Sequence, residues 1–173
     1  MSVSNGERYS IWLKPEDEVR QALKKIIADL SKEYGAPVFD PHVTVAGGIH
    51  QTPEDVKEVL QSAAAIRERM TLHLTETDYL DSLYQSLFVK VAPNESLFAL
   101  REHCLSALNL EHRPYLPHVS LIYKKLDVAE KERIIASVGR RFDYLFTPKS
   151  LFLVRTSGSP ETWEEVMSVP FQP

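Results

Sequence analysis

Two hydrophobic periods alternate along the chain. Residues 8–14 hold a short apolar run, Ile11-Trp12-Leu13, that reads as a strand. From Pro15 to Tyr34 the period lengthens: Val19, Leu23, Ile26, Ile27 and Leu30 fall on one helical stripe, and Gly35 supplies the stop. Val38 to Val45 reads as a second strand, closed by a tight turn at Gly47-Gly48. Residues 52–69 predict a helix with Thr52 as N-cap, Pro53 at its first position and acids in its first turn. Residues 70–80 and 84–92 read as two strands joined by a short polar turn. A helix over 94–108, a strand over 114–123, a helix over 127–140 and strands near 142–147, 149–156 and 162–169 complete the pattern. No linker divides it. The expectation is one α+β domain spanning residues 1–173, with helices outside mostly antiparallel sheets.

One phrase occurs twice in that pattern. Pro41-His42-Val43-Thr44-Val45 returns as Pro117-His118-Val119-Ser120-Leu121. Side chains alternate along a strand, so each His shares a face with the Thr or Ser two residues later. The repeat extends outward: Pro15 and Pro93, each ending a β-rich run and opening a helix, are 78 residues apart, and His42 and His118 are 76 apart. Two copies are too few for a solenoid. They fit a single domain of two lobes related by a pseudo-two-fold axis, with both His-x-hydroxyl faces converging on it.

The bare spacing His-x-Ser/Thr also occurs at His50-Gln51-Thr52 and His73-Leu74-Thr75. Thr52 is accounted for as a helix cap. His73 alternates with leucines and belongs on the solvent face of a half-buried strand. Only His42 and His118 carry the preceding proline and the apolar flanks.

Composition narrows the chemistry. Apolar residues make up 43% of the chain and charged ones 25%, ordinary for a soluble globule. No apolar run is long enough to span a membrane, and Met1 to Glu7 lacks the features of a secretory signal. Cys104 stands alone, is read as buried, and leaves the cytosol as the expected compartment. The net charge of −4 and the scattered basic pairs argue against gripping long nucleic acid and for a small anionic ligand.

Opening a cyclic phosphodiester requires water to lose a proton and the departing oxygen to gain one. Two imidazoles with ordinary pKa near 6.5 can do both, one as base and one as acid. Thr44 and Ser120 would donate hydrogen bonds to the non-bridging oxygens. The paired His-apolar-Thr/Ser-apolar motifs resemble those of the 2H phosphoesterase superfamily. Tyr9-Ser10-Ile11-Trp12, Pro117 to Tyr123 and Glu161-Thr162-Trp163-Glu164 are similar to its plant-type cyclic phosphodiesterase branch. The resemblance implies two lobes, each an antiparallel sheet flanked by helices, around a central cleft. It implies His42 and His118 as catalytic, Thr44 and Ser120 on the phosphate, and Tyr123 lining the cleft. It further implies metal-free hydrolysis of ADP-ribose 1'',2''-cyclic phosphate and of nucleoside 2',3'-cyclic phosphates, with no cofactor, by a monomer. Trp12 and Trp163 could each stack on a base or ribose, but a strand Trp is more often core, and core is the reading favoured for both; His50 is left open between a support behind the site and plain surface.

Three other readings stay open at this level. Asp40 shares a strand face with His42, so Asp40, His42 and His118 could ligate a metal. An enzyme of the same superfamily could act on RNA ends. A non-catalytic nucleotide-binding module could use the same scaffold.

Overall fold

The computed structural model describes residues 6–66 and 70–173. Residues 1–5, part of the segment read as carrying no signal, and 67–69, the predicted end of the second helix, lie outside the described residues. In chain order the elements are β1 (Tyr9–Leu13), α1 (Asp17–Tyr34), β2 (Val43–Ile49), α2 (Pro53–Ala65), β3 (Leu72–Asp78) and β4 (Leu87–Val91). They continue with α3 (Glu95–Ala107), β5 (His118–Ile122), α4 (Val128–Val138), β6 (Arg141–Phe146), β7 (Ser150–Arg155) and β8 (Glu164–Pro170). All eight strands form one antiparallel sheet in the order β6-β3-β4-β5-β2-β1-β7-β8.

Helix ends follow local chemistry. Thr52, Asn94 and Asp127 each accept a backbone N–H of the first turn, and Asp127 with Glu130 closes a reciprocal capping box. Gly35 ends α1 at φ 61°, a left-handed conformation that glycine adopts without penalty.

The sheet is assembled about its middle. β2 and β5 meet at Val43 opposite Val119, the apolar residue inside each motif. Both valines are fully buried, and burial of such a side chain contributes roughly 1.5–3 kcal/mol. α1 packs on β5 while α3 packs on β2, so each lobe's helix covers the other lobe's motif strand. The two lobes are therefore the two halves of one sheet.

The pseudo-symmetry reaches the level of single hydrogen-bonded pairs. In the first lobe Ile11 pairs with Ala46, Trp12 with Thr44 and Leu13 with Val43. In the second, Leu87 pairs with Ile122, Phe88 with Ser120 and Val89 with Val119, each residue 76 positions later. Both lobes slip register at the same place, leaving Val45 and Leu121 as the extra residue of a bulge. A bulge twists its strand and re-aims nearby side chains, and here it follows the motif hydroxyl in both copies.

Several boundaries depart from the sequence reading. The strand read over 84–92 starts only at Leu87, because Leu80 N–H donates to the Gln85 carbonyl and closes a turn that takes Tyr84 to Ser86 out of the ladder. β2 begins at Val43 and β5 at His118, because the stretches before them are irregular chain leading into each proline. Gly47-Gly48 does not close β2 but lies inside it. A second register slip, between Tyr9↔Ile49 and Ile11↔Ala46, absorbs the extra residue there, and Gly48 sits at φ 68°.

Candidate active site

The central register decides where the motif side chains go. With Val43 opposite Val119 in an antiparallel pair, His42 lies across from Ser120 and Thr44 across from His118. The valines point into the core, so all four polar side chains share the other face. They line one cleft of ≈ 510 Å³, together with Trp12, Tyr84, Tyr123 and Trp163 on an aromatic side and Arg8, Ser10 and Thr156 on a polar side. All five residues singled out by the sequence, His42, Thr44, His118, Ser120 and Tyr123, are brought together.

Each imidazole is held in the same way. His42 Nδ1 lies 2.7 Å from the carbonyl of Asp40, and His118 Nδ1 lies 2.7 Å from that of Leu116. A carbonyl only accepts, so Nδ1 carries the proton and, in a neutral ring, Nε2 offers a lone pair. The intervening proline has a fixed φ and restricts the residue before it to extended backbone, which presents that carbonyl to the ring. This accounts for Pro41 and Pro117 ahead of the two histidines. Such an outer partner fixes both tautomer and ring orientation.

A second layer sets the environment. Trp12 stacks on His42 with ring centroids 3.4 Å apart and planes 4° from parallel; its repeat mate Phe88 contacts His118 at 4.9 Å. His42 is 6% exposed. Burial, opposed by the hydrogen bond to Asp40, lowers its pKa to about 3, and the neighbouring His118 pushes the same way. Burial also pushes His118, which is half-buried, below the ordinary 6.5 against the bond to Leu116. Trp12 is buried as expected, yet it belongs to the cleft as well as the core. Trp163, read as core, is instead a half-buried wall of the cleft, 5.7 Å from Trp12 and 5.6 Å from Tyr123 between centroids.

The two hydroxyls differ. Thr44 Oγ1 makes no side-chain hydrogen bond among the described residues and stands open to the cleft. Ser120 Oγ donates to the carbonyl of Tyr84 at 2.9 Å, which ties the 79–86 loop between β3 and β4 to the second motif. Tyr84 in turn packs edge-on against Tyr123 at 5.4 Å. Burial raises the Tyr123 hydroxyl well above its ordinary pKa, so it stays a neutral donor.

Asp40 does not join the histidines. Its carboxylate turns to Arg20 (2.9 and 3.1 Å) and to Lys14 (3.0 Å). Burial raises its pKa, but Arg20 and Lys14 outweigh that and hold it below the usual carboxylate value. The suggested trio of Asp40, His42 and His118 is not gathered, and among the described residues no three His, Cys, Asp or Glu side chains form a metal-binding group. The other sequence assignments fall outside the site. His73 sits on the solvent side bonded to Asp143 at 2.7 Å, His50 is exposed against the carbonyl of Glu7, and Cys104 is buried. Among the described residues no helix is long and apolar enough to cross a membrane.

Sequence reasoning missed Arg8, Ser10, Tyr84 and Thr156. Arg8, Ser10 and Trp12 were legible as alternate positions of the strand read over 8–14, whereas Tyr84, read as the first residue of a strand, lies in the loop before β4.

A family model described as cyclic phosphodiesterase-like protein matches residues 8–171. The chain belongs to this family of 2H phosphoesterases. It is therefore an enzyme of the phosphoesterase class. A cyclic phosphodiesterase of Arabidopsis thaliana is 30% identical over 166 residues, covering 91% of this chain and 92% of that protein. The cyclic phosphodiesterase-like fold seen here also matches solved structures. The protein TT0787 of Thermus thermophilus aligns with a TM-score of 0.70 at 18% identity, over 95% of this chain and 97% of that one. Escherichia coli LigT complexed with 3'-AMP aligns with a TM-score of 0.66 at 16% identity, over 96% and 99%.

Proposed function

We propose that this cyclic phosphodiesterase-like protein hydrolyses small cyclic phosphodiesters without a metal, using His42 and His118 as an acid–base pair. The substrates are ADP-ribose 1'',2''-cyclic phosphate, opened to the 1''-phosphate, and nucleoside 2',3'-cyclic phosphates, opened to 2'-phosphates. The observation that carries the reading is the Val43–Val119 pairing, which sets two imidazoles and two hydroxyls diagonally on one face of one cleft.

The chemistry follows from that diagonal. A phosphate centred over the pair meets one Nε2 on each side. One imidazole takes a proton from water as its oxygen attacks phosphorus; the other gives a proton to the ribose oxygen whose bond to phosphorus breaks. Acid or base assistance of this kind contributes roughly 10²–10⁴-fold per group. Thr44 is free to donate to a non-bridging oxygen at once. Ser120 does so by exchanging the Tyr84 carbonyl for the phosphate. Hydrogen bonds aimed at developing charge in a partly dry site are worth more than in water.

Both imidazoles are neutral at pH 7 in the free enzyme, so the acid must acquire its proton as the anionic substrate arrives. An opposite charge within a few ångströms favours the imidazolium. Catalysis is thereby coupled to binding of the phosphate. The near-symmetric Nε2 pair leaves the choice of base and acid to the way substrate docks. The rings on the aromatic side offer a face for a base or ribose, and the acidic chain favours a small ligand over long nucleic acid.

A turnover panel tests the reading: ADP-ribose 1'',2''-cyclic phosphate and the four nucleoside 2',3'-cyclic phosphates, each with EDTA, with product regiochemistry assigned. Hydrolysis to the 1''- and 2'-phosphates that survives chelation is expected. Activity lost on chelation and restored by a divalent cation would overturn the metal-free mechanism.

A further inference from the structure

The polar side of the cleft has no part in the chemistry above. Ser10 and Trp12 turn toward the cleft from β1, and Arg8, in the extended chain just before that strand, lines the same cleft. Its backbone is clasped. Arg8 N donates to Ser157 Oγ at 2.8 Å, and its carbonyl accepts from Thr156 N at 2.7 Å and Thr156 Oγ1 at 3.3 Å. The side chain is not. Its guanidinium makes one long hydrogen bond, Nη2 to the Thr156 carbonyl at 3.4 Å, and no ion pair among the described residues. A guanidinium has five N–H donors in a planar fork that matches phosphate oxygens, so most of Arg8's remain open. Among the described residues no Asp or Glu lines the cleft, although acids outnumber bases over the whole chain.

The repeat shows what is particular to this side. The registers equate Trp12 with Phe88, and counting the same 76 residues along the sequence takes Arg8, just before β1, to Tyr84, in the loop before β4. The phosphate centre is duplicated, but its rim presents a cation in one lobe and a phenol in the other. That difference gives an otherwise symmetric cleft a direction.

We propose that Arg8 is a specificity-determining residue that binds a second phosphate of the substrate. The group it reads is a phosphate or pyrophosphate on carbon 5 of the ribose whose ring hydroxyls carry the cyclic diester. The inference rests on the cyclic phosphodiesterase reading and adds which cyclic phosphates the enzyme selects.

The test compares three substrates: adenosine 2',3'-cyclic phosphate with a free 5'-hydroxyl, the same compound with a 5'-phosphate, and ADP-ribose 1'',2''-cyclic phosphate. The readout is the ratio of kcat/KM for each 5'-substituted substrate to that for the 5'-hydroxyl one, which does not depend on how much of a variant is folded. The wild type should prefer the substituted substrates, and Arg8→Ala should lower that preference about tenfold through KM, the low end for a hydrogen bond to a charged group. Arg8→Lys should recover part of it. Lys24→Ala, which removes an exposed cation on α1, should keep the wild-type ratio. The monophosphate and pyrophosphate arms show which of the two the residue reads. A wild type without the preference, an Arg8→Ala ratio unchanged, or an equal fall in Lys24→Ala would overturn the inference alone. A wild type that hydrolysed none of the three would overturn the phosphodiesterase reading beneath it.

Discussion

Replacing His42 by glutamine is expected to flatten the acid side of the protein's stability curve. His42 is 6% exposed and its pKa falls from 6.5 to about 3, so the folded protein resists binding a proton that the unfolded chain accepts readily. The sign follows from linkage: stability is unaffected by this group above pH 6.5, declines as pH drops below it, and levels off near the folded pKa. At pH 5 the unfolded imidazole is almost fully protonated and the folded one is not. The cost is about 1.5 pH units at 1.36 kcal/mol each, or about 2 kcal/mol relative to neutral pH. Urea unfolding of wild type and His42→Gln at pH 7.5 and pH 5 measures it as a double difference, in which contributions common to both proteins cancel. Wild type should lose about 2 kcal/mol more than the variant between the two pH values. Parallel losses would show that the ring is not buried in neutral form, and the stacked geometry against Trp12 would be wrong.

Further outcomes follow from the same geometry. Thr44→Ala should lower kcat about 100-fold while changing stability by less than about 0.5 kcal/mol, because its hydroxyl makes no hydrogen bond among the described residues. Ser120→Ala should instead cost about 1–2 kcal/mol on urea unfolding, because the Tyr84 carbonyl loses its donor, and should lower kcat as well. Trp12→Ala should destabilise by about 3–5 kcal/mol, the range for deleting a buried aromatic ring; a loss below about 1 kcal/mol would contradict its place between sheet and His42. In the pH dependence of kcat/KM, both limbs should fall below pH 6.5, because both free-enzyme imidazoles are lowered and titrate as a coupled pair. The falling limb of kcat should move to higher pH, since bound phosphate favours the imidazolium. A kcat/KM maximum above about pH 7 would refute this.

Much of the site was legible in the sequence because strand alternation is strict. Once His42-Val43-Thr44 and His118-Val119-Ser120 are taken as strands, a shared polar face follows, and the valines between them become the seam of the sheet. The 76-residue repeat was also visible, and it extends to Trp12 and Phe88, whose contacts with the two histidines only the paired register reveals. What the sequence hid is of two kinds. Gly47-Gly48 reads as a turn because glycine ends strands more often than it bends them, and only the partner strand shows the bulge. Tyr84, the Ser120–Tyr84 hydrogen bond and the carbonyl partners of the two imidazoles depend on irregular backbone, which has no period. Trp163 was misjudged for a similar reason: it follows a 3₁₀ turn at Pro160–Thr162 and folds back over the cleft from the end of the chain.

The most direct test of the account removes one imidazole at a time. With adenosine 2',3'-cyclic phosphate as substrate and EDTA present, His42→Ala and His118→Ala should each lose at least about 10²-fold in kcat while remaining folded by circular dichroism. The double variant should be little slower than either single one, because acid and base act as a unit. Near wild-type turnover by either folded single variant would show that the facing histidines do not share one phosphorus.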